Sequence, residues 1–242
     1  MTDRPYVVLS CAMSLDGYLD DASDERLVLS NNADLDRVDG QRAAADAILV
    51  GASTVRRDDP RLRVRAPRRR AARASLGLPA SPMKVTVTRQ GDLDPRAHLF
   101  DDDGSEKVVY CATAVHRRTE RLLRGRAAVV DAGPDPLLGC VLADLAERGV
   151  ERLLVEGGAT ILTQFLAHGL ADELHLVVAP FFVGDPGGTP FVRPAAFPWS
   201  KDNRARLLEI TPVGDVALLR YALSERCAPE TASPPAFSFS LT

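Results

Sequence analysis

The sequence predicts an α/β sandwich built on a mostly parallel central sheet, with an antiparallel hairpin at its C-terminal edge. Three observations carry that expectation. Short β-rich runs alternate with segments of helical periodicity. Two strand-like runs end in glycine just before a helix former, the usual form of a strand-to-helix junction in α/β units. The last two strand-like runs are joined by Gly214-Asp215, a turn short enough to make that pair antiparallel.

Taken in order, Tyr6 to Ala12 reads as the first strand. Asn32 to Asp46 follows as a helix, with Ser30 or Asn31 as its cap. Ala47 to Gly51 (AILVG) is the second strand. Arg56 to Arg73 holds nine arginines and reads as an exposed loop. Lys84 to Thr88, Lys107 to Cys111 and Ala127 to Val130 are three more short strands. Leu138, Val141, Leu142 and Leu145 stand at i, i+3, i+4 and i+7, which buries one face of a helix that Gly149 stops. Arg152 to Glu156 is the next strand. Gly157-Gly158 then opens a helix with Ile161, Leu162, Phe165 and Leu166 on one side and Gly169 at its end. Leu174 to Val183 is a buried strand, and Arg206 to Thr211 and Val216 to Leu223 form the final hairpin. Residues 1–223 are expected to be one domain. Residues 224–242, rich in Pro, Ser and Ala, are expected to be a loose tail in which Phe237, Phe239 and Leu241 alternate.

Composition excludes several classes of function. The chain has 242 residues, and 30 basic against 33 acidic side chains leave a net charge of −3, which offers no case for coating a nucleic acid. An apolar fraction of 45% with 26% charged residues suits a globular core. The apolar stretch from Leu176 to Val183 is too short for a membrane helix, and the first residues read as a strand rather than a secretion signal, so a cytoplasmic protein is expected. Cys11, Cys111, Cys140 and Cys227 lie far apart and far from the four histidines, so no metal site is expected. The zinc-deaminase signature is missing, as are the G-x-G-x-x-G, P-loop and hydrolase-elbow patterns.

Three strand ends are left that could carry chemistry. At Glu156-Gly157-Gly158, glycines allow backbone N–H groups to approach a phosphate and the helix dipole favours its charge; the same pair also serves plain tight turns. Glu156 sits at the C-terminal end of an apolar strand, where open α/β sheets bind ligands, or else caps the following helix. Gly51-Ala52-Ser53-Thr54 repeats the logic, with Thr54 as a ligand contact or a cap, and Asp58-Asp59-Pro60 beyond it is an acid pair or a turn. Asp16-Gly17 closes the first strand and could be only a turn.

Together these segments resemble the riboflavin-biosynthesis reductase family, the C-terminal domain of RibD and its stand-alone relatives. The resemblance rests on VVLSCAMSLDGYL at 7–19, DAILVGASTVRRDDPRLRVR at 46–65 and RLLVEGGATILTQFLAHGLADELHLVVAP at 152–180. It implies a dihydrofolate-reductase-like three-layer fold, NADPH as cofactor and a homodimer. The reaction it implies is reduction of 5-amino-6-(5-phosphoribosylamino)uracil at C1′ of the ring-opened ribosylamine. Position by position, Ala12, Thr54 and Asp58 match cofactor contacts. Gly157, Gly158, Ala159, Thr160, Ile161, Leu162, Thr163 and Gln164 match the loop and helix that hold the cofactor phosphates. Arg42, Leu62, Arg65 and Glu156 match substrate positions.

Glu156 is then expected to anchor a ribose hydroxyl, and water or Asp16 to supply the proton. The chain departs from the family at Ser10, where relatives carry lysine or asparagine, at Val28 in place of a tryptophan, and at Arg26 in place of a serine. Those departures leave open a different pyrimidine or pterin substrate, such as dihydrofolate, and a non-catalytic NADPH-binding homodimer. No nucleic-acid or membrane partner is expected.

Overall fold

A computed structural model of the chain describes residues 4–23, 25 and 27–227. Among the described residues nine strands form one sheet. They are β1 (Tyr6–Ser14), β3 (Ala47–Gly51), β4 (Met83–Thr88), β5 (Lys107–Cys111), β6 (Ala128–Asp131), β7 (Arg152–Gly157), β8 (Glu173–Ala179), β10 (Arg206–Val213) and β11 (Val216–Ala222). Their order is β10-β11-β8-β1-β7-β3-β4-β5-β6. From β8 to β6 every pairing is parallel, and β11 joins β8 antiparallel and carries β10 beside it. A two-stranded ribbon, β2 (Tyr18–Asp20) with β9 (Thr189–Pro190), lies apart from the sheet.

The helices are α1 (Asn32–Ala43), α2 (Ala52–Asp58), α3 (Pro67–Ser75), α4 (His116–Leu122), α5 (Leu138–Glu147) and α6 (Ala159–Ala167). Alternation along the strands splits the core into two layers. Val7, Leu9, Ala47, Leu49, Leu153 and Val155 pack with the apolar faces of α5 and α6. Val8, Ile48, Val50 and Leu154 face the other way, onto Val55 of α2 together with Leu62, Leu99 and Phe100. The result is a three-layer sandwich, as the family resemblance implies.

Several boundaries and one segment differ from the sequence reading. β8 stops at Ala179 because Pro180 has no N–H for the ladder. α1 stops at Ala43, and Asn31 is its cap: the side-chain oxygen accepts from the Asp34 N–H at 2.9 Å. The Asn31 amide also donates to the Val213 carbonyl, tying the start of α1 to the β10–β11 turn.

The arginine-rich stretch is not one exposed loop. It runs through the end of α2, a pinned connection and α3, with Pro67 at the favoured first helical position. Arg69 pairs with Asp36 and Asp39, and buried Arg73 donates to the carbonyls of Ala43, Ala45 and Pro79. Arg73 is thereby a structural tie, with burial lowering its pKa. Composition alone hides this, because the carboxylates and carbonyls that neutralise these arginines lie elsewhere in the chain.

The start of the expected tail is also fastened. Ser224 and Arg226 donate to the buried Asp172 carboxylate, which Arg4 and the Val7 N–H also hold. Residues 228–242, including the alternating Phe237, Phe239 and Leu241, lie outside the described residues. Among the described residues no helix is long and apolar enough to cross a membrane.

Candidate active site

The C-terminal ends of β1, β3 and β7 open onto one cleft of about 600 Å³. Parallel strands point their C-terminal ends the same way, so the segments that follow them converge where such sheets bind ligands. β1 contributes Ser10, Cys11 and Ala12, and β7 contributes Glu156 and Gly157. α1 forms a wall through Asp34, Arg37, Val38 and Arg42, whose spacing of three to four residues keeps them on one helical face.

One half of the cleft is built of backbone and small hydroxyls. Gly157 and Gly158 have φ of +117° and +77°, which L side chains rarely adopt. Gly157 absorbs a register shift where β7 meets β3. At Gly158 a Cβ would lie 2.8 Å from the Thr54 Oγ1, so only glycine lets the two junctions approach. Gly51 shows the same closeness from the other side, its Cβ position 2.8 Å from Ile161. Gly158 caps α6 with no side-chain hydrogen bond, and the first intrahelical bond there is from the Leu162 N–H to the Gly158 carbonyl. The amides of the first turn are thus left for a ligand. Ser53, Thr54, Asp58 and Arg57 line the opposite wall. Arg193 closes the end, its side chain donating to Thr160 Oγ1 at 3.2 Å and its N–H to Thr163 Oγ1 at 2.8 Å.

The other half is charged. Glu156 follows Leu154 on the α1 side of the sheet and meets Arg42 in a two-pronged pair, Nε and Nη2 each 2.6 Å from a carboxylate oxygen. Both side chains are nearly buried, 13% and 11% exposed. Burial alone would lower the Arg42 pKa; the Glu156 charge more than offsets it, and the pKa is raised. Arg42 also donates to the Arg63 carbonyl, fixing the connection that carries Arg65.

That connection is pinned at three more points. Leu62 and Val64 point into the core, Ser81 Oγ accepts from the Val64 N–H, and buried Asp39 accepts from the Arg65 and Ala66 amides. Burial alone would raise the Asp39 pKa, but those amides and Arg69 hold the carboxyl below its usual range. Arg65 lines the cleft, and among the described residues nothing pairs with its guanidinium. Cys11 lies in the same wall, and burial pushes its thiol up to about 12, so it is neutral.

Of the sequence-predicted residues, the fold brings Ala12, Arg42, Thr54, Asp58, Arg65, Glu156, Gly157, Gly158, Ala159, Thr160 and Leu162 together around this cleft. Five others lie off its lining. Asp16 is a turn residue: its carboxylate accepts from Ser14 Oγ and from the amides of Val183 and Gly184. The Ser14 hydroxyl, joined by those amides, holds its pKa down to about 2 against the opposing effect of desolvation. A carboxylate of that pKa is ionised at neutral pH, and its hydrogen bonds engage it in the turn and not in the cleft.

Leu62 is 1% exposed, at φ +44°, and anchors the arginine connection rather than touching a ligand. Ile161 packs beneath Gly51. Thr163 Oγ1 donates back to the Ala159 carbonyl while accepting from Arg193. Gln164 sits on the exposed side of α6. Val28 lines the cleft and is exposed, and Arg26 lies outside the described residues. Sequence reasoning missed Asp34, Arg37, Asp39, Arg57 and Arg193. The α1 residues could have been found from their helical spacing to Arg42. Arg193, in an irregular segment, has no local signal.

Known proteins similar to this chain share its family and fold. The family model described as RibD C-terminal domain matches residues 5–219. The chain is 34% identical over 181 residues to the 2,5-diamino-6-ribosylamino-4(3H)-pyrimidinone 5′-phosphate reductase of Archaeoglobus fulgidus, covering 75% of this chain and 83% of that one. It is 36% identical over 182 residues to the protein of the same name from Methanothermobacter thermautotrophicus, covering 75% and 80%. Among solved structures, RibD of Acinetobacter baumannii superposes with a TM-score of 0.74 at 27% identity, over 91% of this chain and 58% of the other.

Proposed function

Because the chain belongs to the RibD C-terminal domain family, we propose that it reduces a 6-(5-phosphoribosylamino)pyrimidine of riboflavin biosynthesis, with NADPH as the reductant. It is an oxidoreductase acting on a small molecule. The observation that carries the reading is the two-sided cleft: a glycine-cradled helix start faces a buried Glu156–Arg42 pair and an unpaired arginine.

The cofactor fits the first half. The open amides of α6 suit its diphosphate, and the close approach of Gly158 to Thr54 leaves room for a backbone-walled groove. Arg193 puts positive charge at that end, while Arg57 there is paired with Asp20 at 2.7 Å; the Arg193 charge supports NADPH over NADH. When bound, NADPH supplies the hydride, and the protein supplies orientation and electrostatics.

In the second half Arg65 takes the substrate phosphate through its forked donors. Glu156 is held rigid by Arg42, and each carboxylate oxygen keeps a lone pair to accept from a ribose hydroxyl. Anchoring phosphate and ribose fixes C1′ against the cofactor half, within the roughly 3–3.5 Å that transfer requires. A homodimer is carried into the proposal on the family resemblance, and sedimentation analysis tests it.

The experiment follows NADPH absorbance with the phosphoribosylaminouracil, its 2-amino-pyrimidinone counterpart and dihydrofolate offered separately. Oxidation with either phosphoribosyl compound is expected, with a fall of about 10- to 100-fold in kcat/KM for Glu156→Gln. Oxidation with dihydrofolate alone, or NADPH binding without turnover, would overturn the reading.

A further inference from the structure

A second charged pocket lies away from the cleft. β4 and β5 run parallel to β3 and β7, so their first residues stand at the edge of the sheet opposite the cleft. The two edges are separated by the length of a strand, roughly 17 Å for five residues. Lys84 and Lys107 are register partners there and share one face of the sheet. Lys84 is wholly buried and Lys107 only 8% exposed.

Charges placed so deeply need counterions, and one carboxylate serves both. Asp103 Oδ2 is 2.6 Å from the Lys84 Nζ. Its Oδ1 is 3.4 Å from the Lys107 Nζ and already accepts from the Ser105 hydroxyl at 2.5 Å. The Lys107 ammonium is thus left with a loose ion pair and no hydrogen bond among the described residues. Burial holds the Lys84 pKa below its ordinary value; Asp103 opposes this and the Lys107 charge adds to it, as in a site short of negative charge.

Lys107 lines a pocket of about 420 Å³, which buried Phe100 and exposed Asp102, Arg124, Gly125 and Arg126 complete. The turn that carries the two arginines is fixed. The Arg126 and Ala127 amides both donate to the carbonyl of wholly buried Leu123, and Gly125 takes a φ of +75° between the arginines. Among the described residues neither guanidinium has a partner. Three cations and one carboxylate leave the lining with a net charge of +2.

We propose that this pocket binds a phosphate dianion, free or as the monoester of a small metabolite, at a site separate from the reductase cleft. Arg124 and Arg126 offer forked donors to the phosphate oxygens, and Lys107 adds a point charge from within the sheet. A phosphate group carries about −1.5 to −2 at neutral pH, which matches the lining. Asp102 opposes a run of several phosphates, so one group is favoured over a nucleic-acid backbone. The inference does not depend on the reaction proposed above.

The test titrates inorganic phosphate, ribose 5-phosphate and ribose into the full chain at constant ionic strength, with chloride as the control salt. Arg65→Ser serves as the background, because it removes the phosphate contact assigned to the cleft. That variant should still bind phosphate, and adding Arg124→Ser with Arg126→Ser should weaken binding at least about tenfold. Lys107→Gln should weaken it similarly; should that buried change prevent folding, the exposed arginine pair carries the test. Unchanged NADPH affinity shows that the arginine variant is folded.

Ribose 5-phosphate binding at least about tenfold tighter than inorganic phosphate supports a monoester ligand, and equal affinities support free phosphate; ribose should not bind. Loss of all phosphate binding in Arg65→Ser overturns the inference, as does undiminished binding once both arginines are replaced. An equal response to chloride, or binding of heparin with neither small phosphate, also overturns it.

Discussion

Replacing Gly158 by alanine probes the strand-to-helix junction at the centre of the cleft. Gly104 serves as a control for a positive φ without a nearby side chain. Gly104 has the same φ, +77°, but an added Cβ there meets nothing within 4 Å. Gly104→Ala therefore carries only the cost of a left-handed alanine, about 1–2 kcal/mol. For a domain of this size that is a fall of about 2–8 °C in Tm.

Gly158→Ala carries a larger backbone cost, because its ψ of 132° lies outside the left-handed basin in a region that essentially only glycine adopts, and it adds a contact of 2.8 Å with Thr54 Oγ1. Overpacking of that kind adds about 1–3 kcal/mol, and relief of it moves either Thr54 or the first turn of α6. Both belong to the half of the cleft assigned to the cofactor, so NADPH should bind at least about tenfold more weakly, a loss of about 1.4 kcal/mol. The assay is thermal unfolding of both variants with and without NADPH, plus a direct Kd. Gly104→Ala should keep the full upward shift on adding NADPH, and Gly158→Ala should lose much of it. A Gly158→Ala protein that binds NADPH as wild type does would refute the assignment of this turn to the cofactor.

Two further outcomes follow from the charged groups. Asp16→Asn should leave the neutral-pH activity profile in place, because the native carboxylate holds no proton there; a lost basic limb in the pH–rate profile would restore Asp16 as the acid. Glu173, buried against His175 and Arg220, has its pKa held at about 2: burial raises it, and the hydrogen bonds from His175 and Arg220 with the Arg220 charge more than compensate. Its folded value lies below its unfolded one. The carboxylate thus contributes stability in full above the ordinary value of 4.5 and loses it as pH falls through about 2. The stability gap between wild type and Glu173→Gln should be widest at neutral pH and narrow between pH 4.5 and 2, and a gap independent of pH over that window would count against the network.

How much of this was legible beforehand divides along the range of the interactions. Strand and helix periodicity, the glycine turns at 157–158 and 214, and the antiparallel final hairpin are local, because a few neighbouring side chains and φ angles decide them. Those features, with the three motifs they frame, determined by themselves the fold and the greater part of the cleft lining, from Ala12 through Thr54 to Thr160. Only the tertiary structure could decide what each charged group does, since a charge takes its role from partners that folding brings near.

Glu156 and Arg42 are 114 residues apart in the chain and form one buried pair. Asp16, the plausible acid in the sequence, spends its carboxylate on amides 167 and 168 residues away. Leu62 looked like a substrate contact and is a core anchor, and Arg73 looked like solvated charge and closes the end of α1. Asp34 and Arg37 drew no notice in the sequence; it took the packed cleft to show a carboxylate and a guanidinium buried with one atom each left unpaired.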